Sequence, residues 1–462
     1  MGSGCSGTRR APTRPPTSGW QNQEGASQHF DRARYEVEEP TYIRVGPTAR
    51  VDARTGNIFE RRSRFMRQYP GVRDGTGDFD ELLKAYYEKH PQDLELDILN
   101  IEEVIPKLRE DRQKYGDRFL LAIAWANAMG AAGPRSSGGP PEEADFPRRG
   151  RYGGVVEPVK LKDAAATAEL IKKVSHEFGS TLVGITKLNP DWVYLNPLRG
   201  RGWEDPDVPM EVPAHWEYAI VVGTPMQWDA MYANPTHGTS NDAYSRSRII
   251  ATRLAEFIKS LGYPARTHIP GNSYDLMVPP IAIDAGLGEQ ARPSICVTPE
   301  LGLNFRPAVV TTNIPMKTDK PIDFGVQDFC NHCKVCAEMC PSGAIPMGEK
   351  VEIRGYRRWK LDTARCQNFW NSNLGSSGCR ICVACCPYTR KSNWLHKGAL
   401  EVTANDPTGI SERALTAMQK SFYPGPDPEE YYIPSLGGSN ASYREPPWWL
   451  KTEDFIELGG EG

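Results

Sequence analysis

Cysteine is the residue type that carries the most evident chemistry in this sequence. Nine of the eleven cysteines lie between Cys330 and Cys386, and only Cys5 and Cys296 lie outside that stretch. The first run reads C-x2-C-x2-C-x3-C-P and starts at Cys330. Three thiolates two residues apart can wrap one iron–sulfur cubane, while a fourth that precedes proline reaches a second cubane. This clustering indicates metal ligation rather than disulfides, and the spacing disfavours the alternative of a structural zinc site.

A second run of the same type follows, but a loop displaces its first cysteine upstream. It reads C-x12-C-x2-C-x3-C-P and starts at Cys366. In paired runs of the bacterial ferredoxin type, the fourth cysteine of each run binds the other cluster. The sequence therefore predicts one ligand set of Cys330, Cys333, Cys336 and Cys386, and another of Cys340, Cys366, Cys379 and Cys382. Cys385 is left over and is expected to pack as a small apolar side chain, with His332 a neighbour of the first cluster rather than a ligand.

Two cubanes in series conduct single electrons, but they do not themselves break a covalent bond in a substrate. The chain has 462 residues, far more than two clusters require, so a second reactive centre is expected. Lysine and arginine number 55 against 58 acidic residues, a formal net charge of −3. The composition therefore has no excess of positive charge that would favour binding of nucleic acid. A small, weakly charged substrate is therefore favoured.

The remainder of the sequence predicts the elements that position this chemistry. The expected divisions are an extended or disordered arm at 1–40, a mostly helical region at 41–155, a core at 156–322, the cluster module at 323–393 and a tail at 394–462 that packs back onto the core. Within the core, apolar periodicity predicts helices at 161–178 and 245–261 and strands at 181–186, 218–223 and 307–315. Alternating strands and helices indicate an α/β layered domain.

Five stretches resemble the corrinoid-dependent reductive dehalogenases, and together with the cysteine runs they cover about residues 160 to 400. They are VGITKLNPDWVY from Val183, AYSRSRI from Ala243, DAGLGEQAR from Asp284, CVTPELGLNFRP from Cys296 and TTNIPMKTDKPIDFGVQDFC from Thr311. The resemblance implies an α/β core with α+β layers, which is nitroreductase-like and binds cobalamin. It also implies an inserted ferredoxin-like module that holds two 4Fe-4S clusters. It also implies a corrinoid bound base-off and a small organohalide as substrate.

The resemblance further implies which side chains act on that substrate. The proton donor of the family falls on Tyr244, its pocket arginine on Arg306, and its pocket asparagine on Asn272. A phenol has a pKa of about 10 in water, but a neighbouring cation stabilises its anion and makes proton delivery feasible. Without the resemblance, Tyr244 would be read as an aromatic at the start of a helix. Arg246 and Arg248 are expected to be surface charges by default.

The sequence also limits which other cofactors and partners are expected. No D-x-H-x-x-G run offers a histidine to cobalt, and the pair Gly286 and Gly288 lacks the third glycine of a dinucleotide fingerprint. NAD and flavin are therefore not expected, and an external low-potential donor must supply electrons. Exported members of the family use a twin-arginine signal and a membrane anchor protein. Arg9-Arg10 lacks the rest of that signal, so either a signal has been removed or the protein works in the cytoplasm.

Two other functions remain open from the sequence. The related epoxyqueuosine reductases combine a corrinoid domain with paired clusters but act on a tRNA base, a substrate that the slightly acidic composition disfavours. A pure electron-transfer protein without a catalytic centre is the other alternative, and failure to bind a corrinoid would indicate it.

Overall fold

The structure is a computed structural model of the chain. It describes residues 31–52, 77–89, 157–195, 216–228, 237–269, 276–373, 379–390, 394–406 and 408–422, with a few isolated positions besides. Of the predicted sites, Asn272 lies outside the described residues, and so does most of the predicted helical region at 41–155. No helix of the described part is both long and apolar enough to cross a membrane.

A four-stranded antiparallel sheet forms the centre of the core. Its strands are β2 (Leu182–Lys187), β3 (Tyr218–Thr224), β4 (Ala265–His268) and β7 (Arg306–Thr312). They lie in the order β2-β3-β7-β4, and every neighbouring pair is antiparallel. The strands predicted at 181–186, 218–223 and 307–315 are therefore confirmed, while β4 is a short strand that the periodicity did not indicate.

Alternate residues of each central strand enter two different hydrophobic cores. Ile220 and Val222 of β3 face one core, which α2 (Ala164–Glu177) and α3 (His237–Ser260) cover. Val221 of the same strand faces the other core. Because side chains of a strand alternate between the two faces of the sheet, one apolar run supplies both cores. All three side chains are fully buried, which stabilises the fold by roughly 2 kcal/mol each.

The helix α3 begins earlier than predicted, at His237 rather than at Ser245. Its first two turns are polar, so apolar periodicity could not reveal them. An ion pair between Asp242 and Arg246 at 2.7 Å joins these turns to the rest of the helix with i,i+4 spacing. The extension places Tyr244 inside the helix rather than before it.

Four short helices carry cysteines of the two runs. These are α5 (Val326–Cys333), α6 (Val335–Glu338), α7 (Thr363–Asn373) and α8 (Ile381–Ala384), while α4 (Val278–Asp284), α9 (Trp394–Ala404) and α10 (Ile410–Phe422) carry none. Val221 of the central sheet and Phe329 of α5 belong to the same cluster of buried side chains. The cluster module and the sheet are thus packed as one body rather than tethered by a linker.

Segments near the N-terminus pack on this body. A short 3-10 helix, Arg32–Tyr35, places Arg32 2.5 Å from Glu300, and that carboxylate is almost fully buried. The strand β1 (Ile43–Arg44) pairs with β9 (Tyr356–Arg358), which in turn pairs with β8 (Val351–Ile353). A further helix, α1 (Phe79–Lys89), buries Tyr86 completely.

Candidate functional site

The first predicted ligand set lines one cavity. Its walls include Cys330, Cys333, Cys336 and Cys386, and its empty volume is about 320 Å³, part of which opens to solvent. Burial, reinforced by the charge of Cys333, raises the pKa of Cys386 to about 12. Two of the four thiols are buried and two are half-buried, and such crowded thiols resist ionisation unless cations neutralise them, which is the role that iron has in a cluster.

An unused polar atom in the cavity wall also fits a cluster. Tyr388 lines the cavity and is almost completely buried, and its hydroxyl has no hydrogen-bond partner among the described residues. A buried hydroxyl without a partner is costly, and cluster sulfurs accept hydrogen bonds. His332 lies outside this wall, with its Nδ1 2.7 Å from a carboxylate oxygen of the buried Glu412.

The two cysteine runs share the same backbone conformation between two of their cysteines. In each run a cationic residue follows a cysteine and takes the left-handed conformation, Lys334 with φ 54° and Arg380 with φ 64°. The chain then enters a one-turn helix, α6 or α8, which carries the next cysteine. This reversal brings sequential thiols to the same side of a loop at a cost of roughly 1–2 kcal/mol per left-handed residue.

The second predicted set also converges. Burial is the largest cause of the raised pKa values of Cys366, Cys379 and Cys382, and repulsion from another thiolate of the set comes next, Cys382 for the first two and Cys340 for the third. The pKa of Cys382 is thereby raised to about 11, although the nearby cations Arg380 and Arg306 oppose the rise. No three acidic, histidine or cysteine side chains of the described part converge as ligands of a single ion. Each thiolate of a cubane binds a different iron, so its sulfurs stand farther apart than the ligands of one ion.

Cys385 lies between the two sets and is nearly inaccessible to solvent. Burial, and next the proximity of Cys382 of one set and of Cys386 and Cys333 of the other, raises the pKa of Cys385 well above its usual value. Its Sγ is 3.8 Å from the carbonyl oxygen of Cys382, and its own carbonyl accepts a hydrogen bond from the side chain of Gln419 at 3.3 Å. Its role as a packed, non-ligating cysteine stays a prediction.

Tyr244 and Arg306 are in contact. The guanidinium carbon of Arg306 lies 5.8 Å from the ring centroid of Tyr244, within cation–π range. Arg306 is 8% exposed and donates to the carbonyl oxygen of Phe305 at 3.0 Å. Ser247 of α3 donates to the carbonyl oxygen of Arg306 at 2.6 Å, which fixes the Tyr244 helix against β7. Since Arg306 also acts on Cys382, one buried cation stands near both the tyrosine and the second thiol set.

Comparison with known proteins agrees with this arrangement. Residues 329–390 match a family described as the 4Fe-4S dicluster domain. The tetrachloroethene reductive dehalogenase of Sulfurospirillum multivorans is 32% identical over 274 residues, which are 52% of this chain and 54% of the relative. That of Dehalobacter restrictus is also 32% identical, over 51% of this chain and 50% of the relative.

Solved structures give the same result. A catabolic reductive dehalogenase in complex with 3-bromo-4-hydroxybenzoic acid aligns with a TM-score of 0.60 at 26% identity, over 85% of this chain and 49% of that chain. A reductive dehalogenase structure described in terms of B12-dependent dehalogenation aligns to the same extent. Over about half of its length this chain is similar to the reductive dehalogenases. It spans about half the length of these relatives.

Arg246 is not a surface charge, so that prediction was wrong. Arg246 is 8% exposed, pairs with Asp242 at 2.7 Å and donates to the carbonyl oxygen of Pro225 at 2.7 Å. A buried guanidinium needs such partners because its desolvation is costly. The pair therefore fixes the first turns of α3, which carry Tyr244. Arg248 is half-buried.

Sequence reasoning missed two further arginines near the thiols. Arg380 is 7% exposed, and its Nε donates to Ser240 of α3 at 2.7 Å, so it links the second cysteine run to the Tyr244 helix. Arg292 is 1% exposed and lines the cavity of the first set. The sequence contained a signal that could have identified Arg380, since a cation follows a cysteine in both runs. It contained no such signal for Arg292.

Gly302 allows the core loop to approach the second cysteine run. Its φ is +59°, and an added Cβ would lie 2.5 Å from the backbone of Thr389. We expect Gly302→Ala to lower the free energy of unfolding by roughly 3 kcal/mol or more, because strain and a backbone overlap combine. Gly343, with φ +62° and no atom within 4 Å of such a Cβ, is the matched control and should lose only about 1 kcal/mol as Gly343→Ala. Anaerobic denaturant titrations measure both, and equal losses would contradict the close approach.

Glu289 makes the stability of the fold depend on pH. Its buried carboxylate accepts hydrogen bonds from the backbone of Phe324 and Val326 at the start of α5. Burial, with repulsion from Asp323, raises the pKa of Glu289 to about 7. The unfolded chain releases this proton at about pH 4.3, so stability falls as the pH rises from there through the folded pKa.

The corresponding variant is Glu289→Gln, which cannot titrate. We expect the wild type to lose on the order of 2 kcal/mol of stability relative to this variant between about pH 5.5 and about pH 8. Unfolding of both proteins by guanidinium at the two pH values measures the difference. A stability difference that does not change with pH would show that Glu289 is ionised throughout.

Proposed function

We propose that this protein is a reductive dehalogenase that converts an organohalide, two electrons and a proton into the dehalogenated product and a halide ion. The observation that carries the proposal is the position of Arg306, which lies against the ring of Tyr244 and within electrostatic reach of Cys382. A proton donor and an electron path therefore meet at one buried cation. The homology to reductive dehalogenases over half the chain supports the same reaction.

The cofactors that we propose are two 4Fe-4S clusters and one corrinoid. The first cluster would be held by the set that includes Cys386, and the second by the set that includes Cys382. The match to the dicluster family and the lined cavity support the clusters. A similar structure described in terms of B12-dependent dehalogenation supports the corrinoid, and a base-off binding mode in a nitroreductase-like core is part of the proposal. When bound, the corrinoid would supply the low-potential metal centre that cleaves the carbon–halogen bond.

The protein's own residues would then supply the proton. Tyr244 donates its phenolic proton to the carbon that loses the halide, and the guanidinium of Arg306 stabilises the phenolate that remains. Buried in the protein, this cation acts more strongly than it would in water. Asn272 is proposed as a third contact in the pocket. An external low-potential donor would reduce the clusters, and a membrane anchor protein would be a further partner if the working form is exported.

The test is halide release from a panel of chlorinated and brominated alkenes and phenols, with a low-potential dye as the donor. The full chain is reconstituted anaerobically with iron and sulfide, with and without cobalamin. The proposal predicts halide release that requires cobalamin. Halide release from no compound, in protein that carries both clusters and cobalamin, would contradict it, as would release that does not depend on cobalamin.

A further inference from the structure

Arg292 is a buried cation at the wall of the first thiol set. Its Nε and Nη2 donate to the carbonyl oxygen of Cys330 at 3.0 and 2.7 Å, and its Nη1 donates to those of Pro346 and Gly348, both at 2.9 Å. Its guanidinium carbon lies 4.8 Å from the ring centroid of Trp359. The side chain is therefore held in place from several directions.

None of these partners carries a negative charge. The contacts of Arg292 within the described residues are carbonyl oxygens and an aromatic face, and no carboxylate pairs with it there. An isolated buried charge is costly, and neutral hydrogen-bond acceptors offset only part of that cost. A second cation lies on the same ring, since Nζ of Lys350 is 4.6 Å from the centroid of Trp359. Lys350 lies near the carboxylates of Glu289 and Asp328, so Arg292 is the cation here that has no carboxylate partner among the described residues.

The anion that fits is a cluster in the adjoining cavity, which Arg292 lines together with the four cysteines of the first set. A 4Fe-4S cluster with four thiolates carries a net charge of roughly −2 when oxidised and −3 when reduced. We propose that the first cluster is the counter-ion of Arg292, and that Arg292 thereby raises the reduction potential of that cluster. The inference rests on the cluster part of the proposed function but not on dehalogenation.

The direction of the effect follows from electrostatics. Reduction adds one electron to the cluster, from [4Fe-4S]2+ to [4Fe-4S]+, and a nearby cation stabilises the more negative state more strongly. The low polarity of the interior increases the effect, because Arg292 is 99% inaccessible to solvent. Arg292 is thus a positioning residue for electron transfer, which sets how readily the first cluster accepts an electron.

The test uses the full chain reconstituted with iron and sulfide, titrated with dithionite and followed by electron paramagnetic resonance. Arg292→Gln keeps donors near Cys330 but removes the charge, while Arg292→Lys keeps the charge. We expect Arg292→Gln to lower the ratio of reduced to oxidised first cluster at a fixed potential by about tenfold, or 59 mV for one electron. Arg292→Lys should shift that ratio by less than about threefold.

Arg380→Gln is the matched control, since Arg380 is a buried arginine beside the second set. It should shift the second cluster and leave the first nearly unchanged. Loss of the first cluster in Arg292→Gln but not in Arg292→Lys would also support the proposal, because only the charge differs. Wild-type potentials in Arg292→Gln, or equal shifts in both Arg292 variants, would overturn it. Neither outcome needs corrinoid or organohalide, so the result is independent of whether the protein dehalogenates.

Discussion

Tyr244→Phe is expected to lower halide release by roughly 10²–10⁴-fold, the range over which a positioned general acid acts. The substitution removes only the phenolic hydroxyl, so the ring should stay against Arg306 and the clusters should assemble. The measurement is halide release by the variant and the wild type, each with cobalamin and both clusters loaded to the same content.

Tyr263→Phe provides the control for this prediction. The hydroxyl of Tyr263 donates to the carbonyl oxygen of Val159 at 2.9 Å in an exposed position, so its loss should leave halide release nearly unchanged. Activity of Tyr244→Phe within about threefold of the wild type would exclude Tyr244 as the proton donor. Solvent or another side chain would then have to supply the proton.

Cys382→Ala is expected to remove the second cluster and with it all halide release. Iron should fall from about eight to about four atoms per chain, since the first cluster has its own four cysteines. Electrons would then reach the first cluster but not the site beside Arg306. Iron analysis, the resonance spectrum of the reduced protein and halide release measure these three effects.

Cys385→Ala tests whether a buried cysteine beside the clusters is also a cluster ligand. Cys385 is buried, whereas Cys382, three residues away, is half-buried, and Cys385 is not assigned to either set. This variant should keep about eight irons and most of its activity. If Cys385→Ala lost a cluster while Cys382→Ala kept both, the assignment of ligands within the second run would be wrong.

The parts of the fold that local sequence determines could be predicted. Cluster cysteines lie in short runs with a characteristic spacing, and the cysteines of the first predicted set line one cavity, while the assignment of ligands to each cluster stays a prediction. The central strands β3 and β7 are apolar runs buried on both faces, and such runs are visible without tertiary information. The start of α3 was placed too late because its first turns are stabilised by the Asp242–Arg246 pair rather than by an apolar stripe.

The burial and the contacts of Arg292 and Arg380 could not be predicted, because their partners are distant in sequence. Arg292 meets Cys330 across 38 residues, and Arg380 meets Ser240 across 140. An arginine is normally exposed, so composition favours the surface for each of them. Only the folded chain shows that each lies beside a thiol set, where a negative cluster would offset its desolvation.

The most direct test of the account is whether the chain binds a corrinoid beside its clusters. The protein is reconstituted anaerobically with iron, sulfide and cobalamin, freed of unbound cofactor, and its electron paramagnetic resonance is recorded with its cobalt and iron contents. The account predicts about one base-off cobalt(II) signal and about two 4Fe-4S clusters per chain. Full clusters without bound cobalt would contradict it and would identify the chain as an electron-transfer protein.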